Sequence, residues 1–342
     1  MAQPPKLSVR LHGGLAPRRC VELAKAAEAG GFHTVWFAEN AFHRGVLPAA
    51  AACAAATTRI GIGIGVFNPY NRHPTLMAME IGALDELAQG RVRLGIGSGI
   101  AAATRRLGLD PDRPLAAVRD AIAIVRAMLA GEAVNYRGRL FSASDVKLEY
   151  RALRPDLALL MAARGDRALA LCGEIADGLM ISNMCPPEFT RHAVEVMQRS
   201  AREAGRGAPA EVVQYIPCVA RPERGEADRC AKEVVGRLLA DYWSLGQRVA
   251  SARSALLRAR GLSESDFVAA VEGLRRGKSP GEMLDERFVA AFAIAGTAED
   301  CLARTHSYRE AGATELVLTF TGPEPERDMQ YLGAALQSCT VG

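Results

Sequence analysis

No apolar run reaches the roughly 18–20 residues needed to cross a bilayer; the nearest, Val46 to Ala56, is interrupted by Pro48. The opening residues, Met1 to Lys6, lack a signal peptide's apolar stretch. No C-x-x-C occurs, and the eight Cys (20, 53, 172, 185, 218, 230, 301, 339) fall without paired spacing. The six His include no H-x-x-x-H and no H-E-x-x-H. These absences argue against a membrane span, a secreted disulfide scaffold and a zinc finger, and predict a reduced, cytoplasmic protein with no metal site. Lysine is scarce, at five of 42 basic residues, and the net charge of +4 is spread without a basic stripe. Bulk-charge binding to nucleic acid is thereby disfavoured. G-x-G-x-x-G, a P-loop, a nucleophile elbow and a paired-acid site are all missing, so hydrolase and kinase readings lack a motif.

What is present is a chain of 342 residues, 49% of them hydrophobic, long enough to bury about three quarters of its unfolded surface. Short β runs alternate with amphipathic helices. Leu7–Leu11 alternates apolar and polar residues, and Pro17 opens a helix that Gly30-Gly31 stops. Strands are predicted at Val35–Phe37, Arg59–Val66, Val92–Gly97, Leu157–Ala162, Gly178–Ser182, Val212–Val219 and Glu315–Phe320. Helices are predicted from Pro74 to Gly90 and, on a 3.6-residue apolar stripe, over Pro114–Ala130.

The segments Glu28–Phe37 and Glu310–Leu318 share one plan, a helix ending on Ala-Gly followed by a turn and a strand, and Glu174–Ile181 repeats it loosely. Such joints imply parallel strands with crossover helices. Eight candidates favour an α/β fold closed as a (β/α)8 TIM barrel over an open doubly wound sheet. The chain is read as one domain, 1–342. An extra hairpin is expected around Tyr136–Leu148, and a helical insertion at about 221–295, between the seventh and eighth strands. Its helical patterns are Asp228–Tyr242 and Phe267–Arg275, with a flexible Gly277–Gly281.

In a parallel barrel the site lies at the carboxyl ends of the strands. That rule nominates His12, Glu39-Asn40, Val66–Arg72, Gly97-Ser98-Gly99, Ala163–Arg167, Asn183 and Thr319–Thr321. Gly61, Gly63 and Gly65 leave one face of a strand bare, as do Gly95, Gly97 and Gly99 on the next, so a flat ring or another backbone could approach there. Glu39 could orient a ring or shuttle a proton, with His12 and His43 as further proton donors. His73, before a proline at a helix start, reads as a cap. Ala163, Arg164, Gly165 and Asp166 lead into a helix whose amides could bind an anion.

At these residues the sequence resembles the bacterial luciferase-like flavin and deazaflavin oxidoreductases, and among them the coenzyme F420-dependent methylenetetrahydromethanopterin reductases. The resemblance is carried by Glu28–Glu39, Gly63–Pro74, Leu84–Gly99, Val118–Ile122, Leu171–Gly178 and Ile294–Glu299. It implies a luciferase-like barrel, a homodimer, and a non-prolyl cis peptide at Gly65-Val66 beside the cofactor. It further implies that coenzyme F420, or alternatively FMN, is bound by Gly65, Val66, Gly97, Ser98, Gly99, Ala163, Arg164, Gly165 and Asp166, with Glu39 placed to hydrogen-bond it; Asn40, Asn68 and Asn183, nominated by the strand-end rule, complete the expected cofactor-binding set. The catalytic candidates are Glu39, His12 and His43. Many relatives end the second strand with Asp-His, whereas this chain has Glu39-Asn40, and Asn cannot relay a proton as imidazole does.

The function implied is hydride transfer from reduced coenzyme F420 to an electron-poor C=C or C=N bond of a specialised-metabolism substrate. An imine, an enone or a dehydroamino acid in a modified peptide would each qualify. The alternatives are an FMN-dependent luciferase-like monooxygenase and a non-catalytic flavin- or partner-binding barrel.

Overall fold

The computed structural model describes residues 5–321 and 324–340; residues 1–4 and the side chain of Cys339 lie outside the described part. The strands, in chain order, are β1 (Lys6–His12), β2 (Thr34–Ala38), β3 (Gly61–Phe67), β4 (Val92–Ile96), β5 (Val134–Arg137), β6 (Ser142–Val146), β7 (Leu159–Ala162), β8 (Gly178–Ile181), β9 (Glu211–Ala220), β10 (Ile294–Gly296) and β11 (Glu315–Phe320). Eight of them pair in parallel in the order β1, β2, β3, β4, β7, β8, β9, β11, and β11 returns to β1. The sheet is therefore a closed (β/α)8 barrel, and the strand ends agree with the sequence expectation to within two residues.

Local chemistry explains the joints. Helices begin at Pro17, Pro74, Pro114 and Pro187, where a missing N–H costs nothing. The repeated Ala-Gly joints end on Gly31 (φ +78°) and Gly312 (φ +101°), a backbone region that glycine enters without a Cβ clash. β5 and β6 form the expected antiparallel hairpin. No described helix is long and apolar enough to cross a membrane.

The insertion runs from the end of β9 through five helices, Arg224–Gly246, Ala250–Leu256, Glu264–Arg275, Pro280–Met283 and Glu286–Phe292. These bury a second apolar core around Trp243, Phe267 and Phe292. The Gly277–Gly281 stretch, expected to be flexible, runs into a short helix at Pro280–Met283. Ser279 caps the short helix there with a capping box, and Pro280 packs against Gly236. β10 was not foreseen: three residues long, it pairs with the upper end of β9, beyond the four-residue stretch that β8 occupies.

Alternation on β1 turns Leu7, Val9 and Leu11 toward the helices and Ser8 and Arg10 into the barrel. The barrel floor is a satisfied polar network. Glu315 accepts from Ser8 Oγ (2.6 Å) and Trp36 Nε1 (2.7 Å) and pairs with Arg93, which also pairs with Glu211. Burial alone would raise the Glu315 carboxyl, but Arg93, Ser8 and Trp36 outweigh it and hold it below the usual carboxylate range. Above this floor sit Trp36, Met180, Val213, Tyr215 and Val317.

That inner layer corrects the reasoning from the bare glycine face. A Cβ at Gly63 would strike Trp36, one at Gly65 would strike Tyr215 and Met180, and one at Gly95 would strike Met180. These three glycines make room for large protein side chains inside the barrel, and only Gly97 and Gly99 reach the rim.

Candidate active site

The carboxyl ends of the strands hold two groups of side chains. The first gathers around β2, β3 and β4. Glu39 Oε1 accepts from Arg72 Nη2 at 3.0 Å, and Arg72 Nη1 donates to Glu80 at 2.9 Å. The Arg72 and Glu39 side chains are only 15% and 13% exposed, and the guanidinium lies 4.4 Å from the Phe67 ring centroid. Burial raises the Glu39 carboxyl above its usual range, although Arg72 and the Asn68 backbone N–H oppose the shift. Its second oxygen, Oε2, is buried and has no hydrogen-bond partner.

Asn68 is nearly buried and its Oδ1 accepts from Tyr70 N at 3.0 Å, which turns the chain just past β3. Gly99 (φ +63°) passes so close that a Cβ would lie 2.6 Å from Asn68 Nδ2. At Gly97 a Cβ would lie 2.9 Å from the Ala162 Cβ and 3.1 Å from Val66. The Gly65-Val66 peptide is cis, and the Gly65 carbonyl accepts from the buried Tyr215 hydroxyl at 2.9 Å. Val66, Asn68, Gly97 and Gly99 thus meet at one part of the rim, with the half-buried Ser98 between the two glycines.

The second group lies past β1 and β2. His12 and His43 are both exposed and close enough to repel. His12 Nδ1 accepts from Gly14 N at 3.1 Å. Partial desolvation of the ring on its inner side, then Arg10, then His43 lower the His12 imidazole from its usual value, so it is mainly neutral at pH 7 and poorly suited to giving up a proton. Asn40 is exposed and contributes its carbonyl to His43 N. A cavity of about 480 Å³ here is lined by Gly13, Gly14, Phe42, His43 and Arg44.

The β7 and β8 ends behave less uniformly. Arg164 bonds the Ser182 hydroxyl, and its guanidinium lies 5.1 Å from the Tyr242 ring of the insertion. Ala163 N donates to the Met180 carbonyl, Gly165 caps the following helix, and Ser251 of the insertion stands beside that cap. Asp166 faces away, 72% exposed and 2.8 Å from His192. Asn183 is nearly buried with Oδ1 unpartnered. His73 is the helix cap expected, its Nδ1 accepting from Thr75 N.

Sequence reasoning missed Arg10, Tyr215 and Ser182, and saw Arg72 only as one donor in a loop. The signal for Arg10 was available: Ser8, Arg10 and His12 are the polar positions of an alternating strand. Several buried polar atoms without hydrogen-bond partners lie at the carboxyl end of the barrel, Glu39 Oε2, Asn183 Oδ1, Thr319 Oγ1, Arg10 Nε and Arg164 Nε, while others, such as Arg91 Nε and the Asp328 carboxylate, lie away from it. The floor at the opposite end, built on Glu315, is paired. Buried polar groups normally find partners, so the unsatisfied end is where a polar ligand belongs. A larger cleft of about 1020 Å³ lies elsewhere, among Arg224, Arg260, Glu286 and Arg304. It contains no barrel-strand end, and the strand-end geometry places the site at the barrel mouth instead.

Residues 1–315 match the Luciferase-like monooxygenase family. The chain is 30% identical over 314 residues to 5,10-methylenetetrahydromethanopterin reductase of Methanolobus tindarius, covering 91% of this chain and 93% of that protein. It is 29% identical over 317 residues to the enzyme of that name from Archaeoglobus fulgidus, covering 90% and 92%. Among solved structures, coenzyme F420-dependent tetrahydromethanopterin reductase from Methanopyrus kandleri matches with a TM-score of 0.83 at 25% identity, over 97% of this chain and 98% of that one.

Proposed function

The chain belongs to the luciferase-like family, and on that premise we propose that it is a coenzyme F420-dependent reductase, passing hydride to an electron-poor C=C or C=N bond of a small molecule. The similarity to reductases over nine tenths of both chains supports the cofactor assignment. The observation that carries the reading is the set of partnerless buried polar atoms at the barrel mouth. They fit a deazaflavin: Asn183 Oδ1 is free to accept from a ring N–H group, and the Thr319 hydroxyl is free to donate.

When bound, the deazaflavin supplies the hydride. The residues that would hold it are Val66, Asn68, Gly97, Ser98 and Gly99 along one wall, with Asn183 opposite and Ala163–Gly165 toward the helix start. Gly65 would contribute through the backbone that Tyr215 fixes. Asn40 and Asp166, both exposed, are the weakest of the expected contacts.

Glu39 is the proton donor of this proposal. Burial favours its protonated form, Arg72 fixes one oxygen, and the other oxygen is open. His12, mainly neutral, and the exposed His43 rank behind it. A homodimer accompanies the reading. Leu76, Met79 and Leu87 are 40%, 51% and 46% exposed along one face of the Pro74–Leu87 helix, and Leu153 is 52% exposed. An apolar stripe of this kind marks a protein interface.

The test is a fluorescence titration of the purified protein with coenzyme F420 and, in parallel, FMN. Micromolar or tighter binding of F420 with weaker FMN binding is expected. Preference for FMN, with oxygen uptake on reduction, would refute the reductase and favour a monooxygenase. Tight F420 binding with no hydride exchange to any acceptor would favour a non-catalytic barrel.

A further inference from the structure

Arg10 is a cation without an acid. It lies on β1, points into the barrel, and its guanidinium carbon is 5.3 Å from the centroid of the buried Tyr215 ring. Its Nε is buried without a hydrogen-bond partner. No described carboxylate forms an ion pair with it, because the nearby acids are already engaged: Glu39 with Arg72 and Glu315 with Arg93. Arg164, across the mouth, is likewise held by a hydroxyl and an aromatic ring and by no carboxylate. The titratable groups that Arg10 acts on are His12 and Tyr215, and Arg93 and Glu315 act on Tyr215 from below. None of these supplies an unengaged negative charge, so the positive potential close to Arg10 has no counter-charge of its own.

The two acceptor types allowed by the reductase reading respond to that potential in opposite ways. A C=N bond accepts hydride most readily when protonated, so it arrives as a cation. A C=C bond conjugated to a carbonyl arrives neutral and gains negative charge on oxygen as hydride adds. A fixed guanidinium disfavours the first and stabilises the second.

We propose that the acceptor is a C=C bond conjugated to a carbonyl, and that Arg10 binds the oxygen on which negative charge develops. This rests on the reductase reading above. Hydride and its electron pair form the new C–H bond at the β-carbon, the C=C pair shifts to give an enolate, and Arg10 holds the enolate oxygen. A proton from Glu39 then adds at the α-carbon and the C=O bond re-forms. The acceptor is reduced by two electrons and the deazaflavin is oxidised by two.

The test compares the full-length protein with R10K and R10M. First, F420 binding is measured by fluorescence for all three. Wild type failing to bind would refute the reductase reading itself, and a tenfold or greater loss confined to the variants would assign Arg10 to the cofactor and overturn this proposal.

With F420 bound, a panel of enones and enals of graded size is set against size-matched cyclic imines. Wild type is expected to reduce the conjugated carbonyls, and R10M to lose roughly 10²–10³ in kcat, as on removing an oxyanion donor, with R10K in between. Faster reduction of imines than of enones, or an unchanged enone rate in R10M, would overturn it.

A second measurement needs no substrate. para-Nitrophenol in the mouth should ionise at lower pH than in solution, read from its phenolate absorbance, and R10M should abolish the shift. No shift, or an equal shift in R10M, would also overturn it.

Discussion

Replacing Arg72 with Met would leave Glu39 in place without its counter-charge. The ion pair spans 3.0 Å between side chains 15% and 13% exposed. A pair at this separation gains about 5.5 kcal/mol at an effective dielectric of 20, before desolvation is charged against it. Breaking a fully buried pair costs about 3–5 kcal/mol and an exposed one about 0–1. This geometry therefore predicts a loss of roughly 2–3 kcal/mol at pH 8, between those limits. The loss should depend on pH. Burial already raises the Glu39 carboxyl above its unfolded value, and removing Arg72 takes away an opposing effect, so it rises further. The native state then holds a proton that the unfolded chain has released, and stability falls as pH rises above the unfolded carboxyl value of about 4.3. At pH 4 the unfolded carboxyl is about two-thirds protonated and the raised native one more so, so little beyond about 1 kcal/mol should remain, from the lost stacking on Phe67. Urea unfolding at pH 4 and pH 8, for R72M, E39Q and the double variant, measures this directly. Equal losses at both pH values, or additive effects in the double variant, would refute the buried-pair reasoning.

Three further outcomes follow from the site and the surface. E39Q should fold and bind F420 but lose roughly 10²–10⁴ in kcat; the fall of wild-type kcat as pH rises through the elevated Glu39 value should flatten in the variant. Y215F removes the 2.9 Å donor to the buried Gly65 carbonyl and should cost about 1–3 kcal/mol in denaturant unfolding; a neutral effect would mean that the carbonyl finds another partner. L76E with M79E should convert a dimer to monomer in sedimentation velocity, and a wild-type protein already monomeric would remove the interface proposal.

The barrel was legible because parallel strands buried on both faces read as short β-rich runs, and because Pro and Gly mark helix starts and stops. Val46–Ala56 was harder. It reads as an apolar run broken by proline, yet Pro48 falls in the first turn of a helix, where its missing N–H is harmless. β10 is three residues long and exists only because β9 offers it an edge, so no local pattern announces it. At the site, strand ends located Glu39, Asn68, Gly97 and Asn183. Partnerships across the barrel were hidden: Arg72 lies 33 residues from Glu39, and Tyr215 lies 150 from Gly65. The glycine alternation was seen and misread, since a missing Cβ looks the same whether Trp36 or a ligand occupies the space.

β9 keeps β8 as its neighbour for four residues and then hands that edge to β10. The wall at this seam is consequently modular. Its lower half belongs to the conserving logic of closure, where any change in register would open the cylinder. Its upper half is furnished by a detour with a hydrophobic centre of its own. A lineage could lengthen, shorten or exchange that detour and so reshape what the mouth admits, while the floor beneath goes on holding the cylinder shut.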